Sequence, residues 1–142
     1  MTETTMRRAS AAAAGLGAAV TVYLLSVRAS GATLACATGG CETVQHSRYA
    51  EIFGLPIAAL GLVSFSCLLG AAVMRGAWAA LVQATVALAA SLFGAYLLYV
   101  QLAVLGALCQ WCLASDVLVS VIAGLALLRL GPAPTAPKRR RR

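Results

Sequence analysis

With 142 residues, of which 61% are hydrophobic and 11% charged, the chain is too apolar for a soluble globular domain. Its formal net charge of +7 would suit a nucleic-acid binder, but the Lys and Arg residues gather at the ends and in one short turn rather than on an amphipathic face. The charge therefore reads as a topogenic bias, no nucleic-acid partner is expected, and one small polytopic membrane domain remains, with five cysteines to explain.

Four apolar segments of roughly 20 residues follow one another, each long enough to cross about 30 Å of hydrocarbon. They run from Ala9 to Val27, Pro56 to Met74, Ala77 to Gln101 and Gly106 to Leu130. The last boundary is the least sharply marked, because Leu102 to Leu105 is apolar and carries no turn signal. Small residues recur four apart at Gly15/Ala19, Ser66/Gly70 and Ala90/Gly94, a spacing that lets helices approach closely in lipid. The expected fold is an all-α membrane protein: a four-transmembrane-helix bundle over residues 1–131, with an outer loop at about 28–55, followed by a Pro-rich, basic tail over 132–142. No repeat or soluble domain is visible.

Four spans place both termini on one side, with the turn at Arg75. That side carries Arg7, Arg8, Arg75, Arg129, Lys138 and Arg139 to Arg142, nine basic residues against Arg28 and Arg48 on the other. The positive-inside rule then puts the termini and the tail in the cytoplasm, near anionic lipid, and the loop outside an inner (cytoplasmic) membrane. A signal-peptide reading would use Arg7 and Arg8 as the charged region and Thr33-Leu34-Ala35-Cys36 as a lipoprotein-like cleavage site. It is disfavoured because Arg28, Ser30 and Gly31 separate that cysteine from the apolar run.

The loop has internal order. Gly39-Gly40 supplies the freedom for Cys36 and Cys41 to approach one another. After Cys41, Glu42 to Phe53 reads as a short amphipathic helix with Tyr49, Ile52 and Phe53 on one side, a lid on the membrane surface ended by Gly54. Pro56 suits the first turn of the next span.

Cys109-Gln110-Trp111-Cys112 opens the fourth segment. Two thiols three residues apart can form a reversible disulfide, and the first turn of a helix favours a thiolate. Asp116 continues the stripe at i, i+3 and i+7, at a depth where charge is costly and usually functional. Two readings of Asp116 stand, a proton relay or a neutral acid bonded to Ser115 or Ser120. Cys67, alone in the second segment, reads as a small hydrophobe.

Taken together, Cys36-Ala-Thr-Gly-Gly-Cys41, Ser47-Arg48-Tyr49-Ala50, Phe53-Gly54-Leu55-Pro56 and Cys109-Gln110-Trp111-Cys112 resemble the vitamin K epoxide reductase family over nearly the whole chain except its two tails. The resemblance implies a four-helix bundle around a quinone (menaquinone or ubiquinone), with Cys109 and Cys112 as the active-site pair and Cys36 and Cys41 as the shuttle pair. Cys41 is then expected to accept the partner's attack, and Cys36 to resolve that mixed disulfide or carry electrons inward to Cys109. Ser47 matches the family serine near the quinone ring, and Asp116 matches no family role. The implied partner is a DsbA-like thioredoxin-fold protein, expected to be separate because the chain stops after its fourth helix.

The residues point the same way. No C-x-x-C-H, nucleotide fingerprint or histidine cluster offers another cofactor, and the single His46 argues against a metal site. A lipid-soluble quinone suits apolar walls with a few polar groups. Phe53, Phe93, Tyr96, Tyr99 and Trp111 are candidates to line its pocket, against the simpler reading of membrane-interface anchors. DsbA-type disulfides sit near about −120 mV, so an acceptor of higher potential has to regenerate them. The sequence thus reads as a quinone-dependent thiol-disulfide oxidoreductase that supports disulfide bond formation. Two rivals remain open: reduction of a quinone epoxide such as that of vitamin K, and transport of a soft heavy metal on four thiolates.

Overall fold

A computed structural model of the protein describes residues 2–131; the Pro-rich, basic tail expected over 132–142 lies outside the described residues. The chain is mostly helical. Helix α1 (Glu3–Ser30) starts at Thr2, whose Oγ1 accepts the Thr5 N–H, and stops at Gly31, which turns left-handed at φ 65°. Helix α2 (Cys41–Gln45) lies in the loop. Helix α3 (Ile57–Val73) leads through a turn at Gly76 to α4 (Ala77–Tyr99). A π-helical turn, Val100–Leu105, prolongs α4 until Gly106 reverses the chain at φ 59°, and α5 (Gln110–Leu130) follows.

Three helical stretches are long and apolar enough to cross a membrane: α1, α4 with its π turn, and α5. With 17 residues, α3 is the shorter apolar helix beside them. Their borders fall close to the four apolar segments read from the sequence. The uncertain stretch Leu102 to Leu105 belongs to the end of the third segment, as a π turn.

The long helices pack as a bundle in which α1 contacts α3 and α5, and α4 contacts the same two. What fills the middle is small: Ala13, Ala14, Ala87 and Ala123 surround Phe65, Leu68, Val119 and Ile122. Close approach depends on a position the four-residue spacing did not pick out. A methyl on Gly17 would sit 2.2 Å from the Phe65 ring, whereas Gly15 and Gly70 face open space. Of the expected small pairs, Ala90/Gly94 does meet a neighbour, since a methyl on Gly94 would stand 2.4 Å from Asp116 Oδ1.

The loop departs from expectation. Glu42 to Phe53 does not form one amphipathic helix: α2 ends at Gln45, His46 and Ser47 leave helical geometry, and a single 3₁₀ turn covers Arg48–Ala50. A two-residue hairpin then pairs β1 (Glu51–Ile52) with β2 (Leu55–Pro56). Phe53 and Gly54 form its turn, both at positive φ (52° and 79°), as tight hairpin turns require. That turn holds Phe53 fully in the open and not on a shared face with Tyr49 and Ile52. Pro56 closes β2 and caps α3 rather than entering its first turn.

Overpacking a filled core typically costs about 1–3 kcal/mol. Gly17→Ala should therefore lower the thermal unfolding midpoint of the protein in detergent, while Gly15→Ala leaves it unchanged or slightly raised. Equal midpoints for both variants would show that the α1–α3 contact is slack.

Candidate active site

Four cysteines come together where the loop settles on the start of α5. Cys36 and Cys41 form a disulfide, and the Cys41 N–H also donates to Cys36 Sγ at 3.2 Å. Cys41, Val44 and Cys109 make a buried cluster against which Cys36, Trp111 and Cys112 pack. Cys41 and Cys109 are fully buried, while Cys36 and Cys112 are partly open. Cys36 is thus the more open loop sulfur and Cys41 the one buried against Cys109, whereas the resemblance implied Cys41 as the sulfur that a partner attacks.

The local sequence explains the seating. Gly40 lies so close to the irregular segment before α5 that a methyl there would stand 2.7 Å from both the N and the O of Leu108. Backbone cannot yield to such a contact, so glycine is required on packing grounds. Thr38 Oγ1 donates to Leu108 O at 2.7 Å, the Ala37 N–H donates to Gln110 Oε1 at 2.9 Å, and Trp111 Nε1 donates to Ala35 O at 2.8 Å. Trp111 also packs at a tilt against Tyr23 of α1, with ring centroids 4.9 Å apart and the planes inclined by 55°. Farther along the loop, Arg28 donates to Gln45 O and pairs with Glu51.

Cys109 is the N-cap of α5, and its Sγ accepts the Cys112 N–H at 3.4 Å. One residue ahead of the spanning helix, the Cys109 thiol is held below its ordinary range. A hydrogen bond from the Cys112 thiol contributes most, and the Cys112 and Trp111 N–H groups and Gln45 add to it, against the opposing effect of burial. Gln101, buried in the π turn, accepts the Cys109 N–H at 2.8 Å and fixes the backbone there. Such π turns recur at functional sites. Gln45 Nε2 reaches Cys112 Sγ at 3.6 Å.

Cys112 opens onto a cavity of about 170 Å³ between the helices and beneath the loop. Its walls are mostly apolar, from Leu24 of α1, Phe65 of α3 and Phe93 of α4, and Gln45, Ser47 and Asp116 supply polar groups. Ser47 Oγ donates to Val44 O at 2.7 Å, so in this rotamer it offers the cavity lone pairs rather than its proton. Asp116 sits opposite Gly94 with Oδ2 buried and unpartnered. Ser115, one of the two hydroxyls considered for it, donates instead to Trp111 O. Asp116 also lines a shallow groove on the outer side of α4 and α5, beside Ser91 and Ser120.

Of the aromatic residues expected around a cofactor, Phe93 alone lines the cavity. Tyr96 and Tyr99 are 51% and 63% exposed on the outer face of α4, Phe53 projects from the hairpin turn, and Trp111 is committed to the loop and Tyr23. Cys67 is exposed on α3, away from the other cysteines. Gln45, Gln101, Thr38 and Gly40 build the site without having been singled out in the sequence. The signal that could have found Gln101 is an uncharged polar residue inside an apolar run.

The arrangement can pass a disulfide from a half-open sulfur, through two buried ones, to a thiol facing a mostly apolar cavity. The comparison with known families agrees with it. The Vitamin K epoxide reductase family profile matches residues 8–127, which takes in both cysteine pairs, the loop and all four long helices; this membrane protein therefore belongs to the vitamin K epoxide reductase family, whose members are oxidoreductases.

Proposed function

We propose that this protein reoxidises a thioredoxin-fold, DsbA-like protein on the outer face of the membrane and passes the electrons to quinone, so supporting disulfide bond formation. The observation that carries this reading is the row Cys36, Cys41, Cys109, Cys112, which ends on the cavity. On this reading α3 spans the membrane with the other three helices, both ends of the chain face the cytoplasm, and the loop faces out.

The cavity fits a quinone ring by its apolar walls and its few polar groups, among them an unpartnered carboxyl oxygen. When bound there, quinone supplies a two-electron, two-proton sink. Ser47, Gln45 and Asp116 would hold the ring, and Phe53, Tyr96 and Tyr99 serve better as interface anchors. Asp116, about one turn below Cys112, is placed to carry a proton between the thiol and the bound ring.

The steps conserve atoms and electrons. A thiolate of the partner attacks Cys36, the Cys36–Cys41 bond breaks and Cys41 leaves as thiolate. The partner's second thiolate then releases oxidised partner and a reduced loop pair. Cys41 attacks Cys109 in an oxidised Cys109–Cys112 pair and expels Cys112, after which Cys36 closes the loop disulfide and frees Cys109. The reduced inner pair gives two electrons and two protons to the acceptor and closes its own disulfide again. Cys109 receives because α5 and its thiol interactions stabilise it as a leaving thiolate.

Purified protein, a reduced thioredoxin-fold partner and a soluble quinone should yield quinol. Cys112→Ala should abolish this and accumulate a Cys41–Cys109 disulfide, read by mass spectrometry of non-reduced peptides. A trapped partner joined to Cys112, or full turnover without Cys36, would sink the relay.

Gly40→Ala should slow transfer between the two pairs by tenfold or more, since the added methyl lifts Cys41 from Cys109. Reaction of the loop pair with the partner should persist, and stopped-flow measurement of each half-reaction separates the two. Asp116→Asn keeps the shape of the side chain and removes its titration. It is expected to lower quinone reduction about 10²-fold while leaving oxidation of the partner by the loop intact; an unchanged quinone rate would make Asp116 a packing residue.

A further inference from the structure

At the end of the bundle opposite the cysteines lies a second polar cavity, of about 480 Å³, between the start of α1, the α3–α4 turn and the last turn of α5. Arg7, Arg75 and Arg129 line it, with Thr4 and Glu3. The Arg129 side chain is 2% exposed. It donates to Gln83 Oε1, yet its Nε has no partner, and Nε2 of the fully buried Gln83 has none either among the described residues. Arg129 Nε is thus a charged donor of a cavity-lining side chain with no acceptor, while Gln83 Nε2 lies behind that wall, and buried donors of this kind call for an acceptor.

The carboxylate nearby does not answer that need. Glu3 is 67% exposed and its Oε1 stands 3.9 Å from Arg129 Nη2, beyond hydrogen-bond reach. Arg7 is already engaged, with Nε donating to Ala72 O at 3.0 Å and Nη2 to Val73 O. Arg75 is exposed on the turn. Beside it, α4 begins at Gly76 without a side-chain cap, so the positive end of its dipole adds to the same cavity.

We propose that this cavity binds a phosphate-bearing anion, whose oxygens provide the acceptors that Arg129 and Arg75 lack. Planar guanidinium groups and an open helix start are the donors that phosphate geometry matches. In a chain that crosses a membrane, one source is the headgroup of an anionic phospholipid, and the other is free phosphate. The site is independent of the redox reading and would stand without it.

Thermal unfolding of the full chain in neutral detergent tests the proposal, with phosphatidylglycerol, phosphatidylcholine or inorganic phosphate as titrant. Phosphatidylglycerol should raise the midpoint saturably and phosphatidylcholine should not. Arg75→Gln should weaken the apparent affinity roughly tenfold, as expected for a charged hydrogen bond. Arg8→Gln, an exposed arginine outside the cavity, should leave it unchanged. Arg129→Lys keeps the buried charge and loses the forked donor, so it should match the loss in Arg75→Gln. A response to phosphatidylglycerol alone assigns the site to a lipid headgroup, and an equal response to inorganic phosphate assigns it to the free anion. No response to either, an Arg129→Lys variant that binds normally, or equal losses in Arg8→Gln and Arg75→Gln would overturn the site, the last because diffuse charge would then suffice.

Discussion

Sulfur can exchange with sulfur only in contact, and in this chain that contact is set by how a polar loop lies on the first turn of α5. Gly40 against the Leu108 backbone is the tightest point, and it brings Cys41 into the same buried cluster as Cys109. The hydrogen bonds that hold the loop are few, each of a kind worth about 1 kcal/mol net. A seat of that strength is firm enough to define one arrangement and, on the proposed reading, weak enough to open when the loop pair is reduced. The same turn of α5 carries both the Cys109 cap and the N–H that donates to its sulfur, so seating and thiolate stabilisation come from one piece of backbone.

The bundle beneath is legible from its apolar runs, but the direction each helix faces is not. In a soluble helix a polar stripe marks the outside; in lipid both sides of a helix are apolar, so the periodic signal vanishes. What marks the inside here is size. Alanines such as Ala14, Ala72, Ala84, Ala87 and Ala126 are buried, and larger side chains, among them Trp78, Leu92, Tyr96 and Tyr99, face out. Nearness in the chain is therefore no guide to which aromatics reach a cavity, and Tyr96 and Tyr99 lie outside it, whereas the spacing within each cysteine pair is itself chemical and the loop packs the two pairs together. The loop was misread for a related reason. The amphipathic pattern of Glu42 to Phe53 is broken by backbone geometry at His46 and Ser47 and by the left-handed pair Phe53-Gly54, and a phenylalanine at positive φ is not something propensity suggests.

Two polar clusters lie inside the bundle near its ends: Gln45, Gln101 and Asp116 around the cysteines at one end, Gln83 and Arg129 at the other. Between them Phe65, Leu68, Val119 and Ile122 form an apolar waist. Charge crossing that waist would meet the desolvation cost that hydrocarbon imposes. The two ends are thus chemically separate, and on the proposed reading the protons that accompany reduction at the cysteine end are exchanged on that side.

This separation gives Asp116 its significance. The thiol of Cys112 and the carboxyl of Asp116 are one helical turn apart on α5, about 6 Å along its axis, and both face the same cavity. Gly94 leaves room on α4 for the carboxyl, with Oδ1 in the space a methyl would claim, and no hydroxyl quenches Oδ2. A merely structural acid would be expected to recruit Ser91 or Ser115; instead Ser91 Oγ is buried and unpartnered beside the groove, and Ser115 is spent on its own helix. Asp116 borders both the inner cavity and that outer groove, and so forms a polar point in the wall between them. On the proposed reading, electrons enter from above through Cys109 and Cys112, and the proton inventory is balanced sideways through Asp116, so that neither has to traverse the apolar waist.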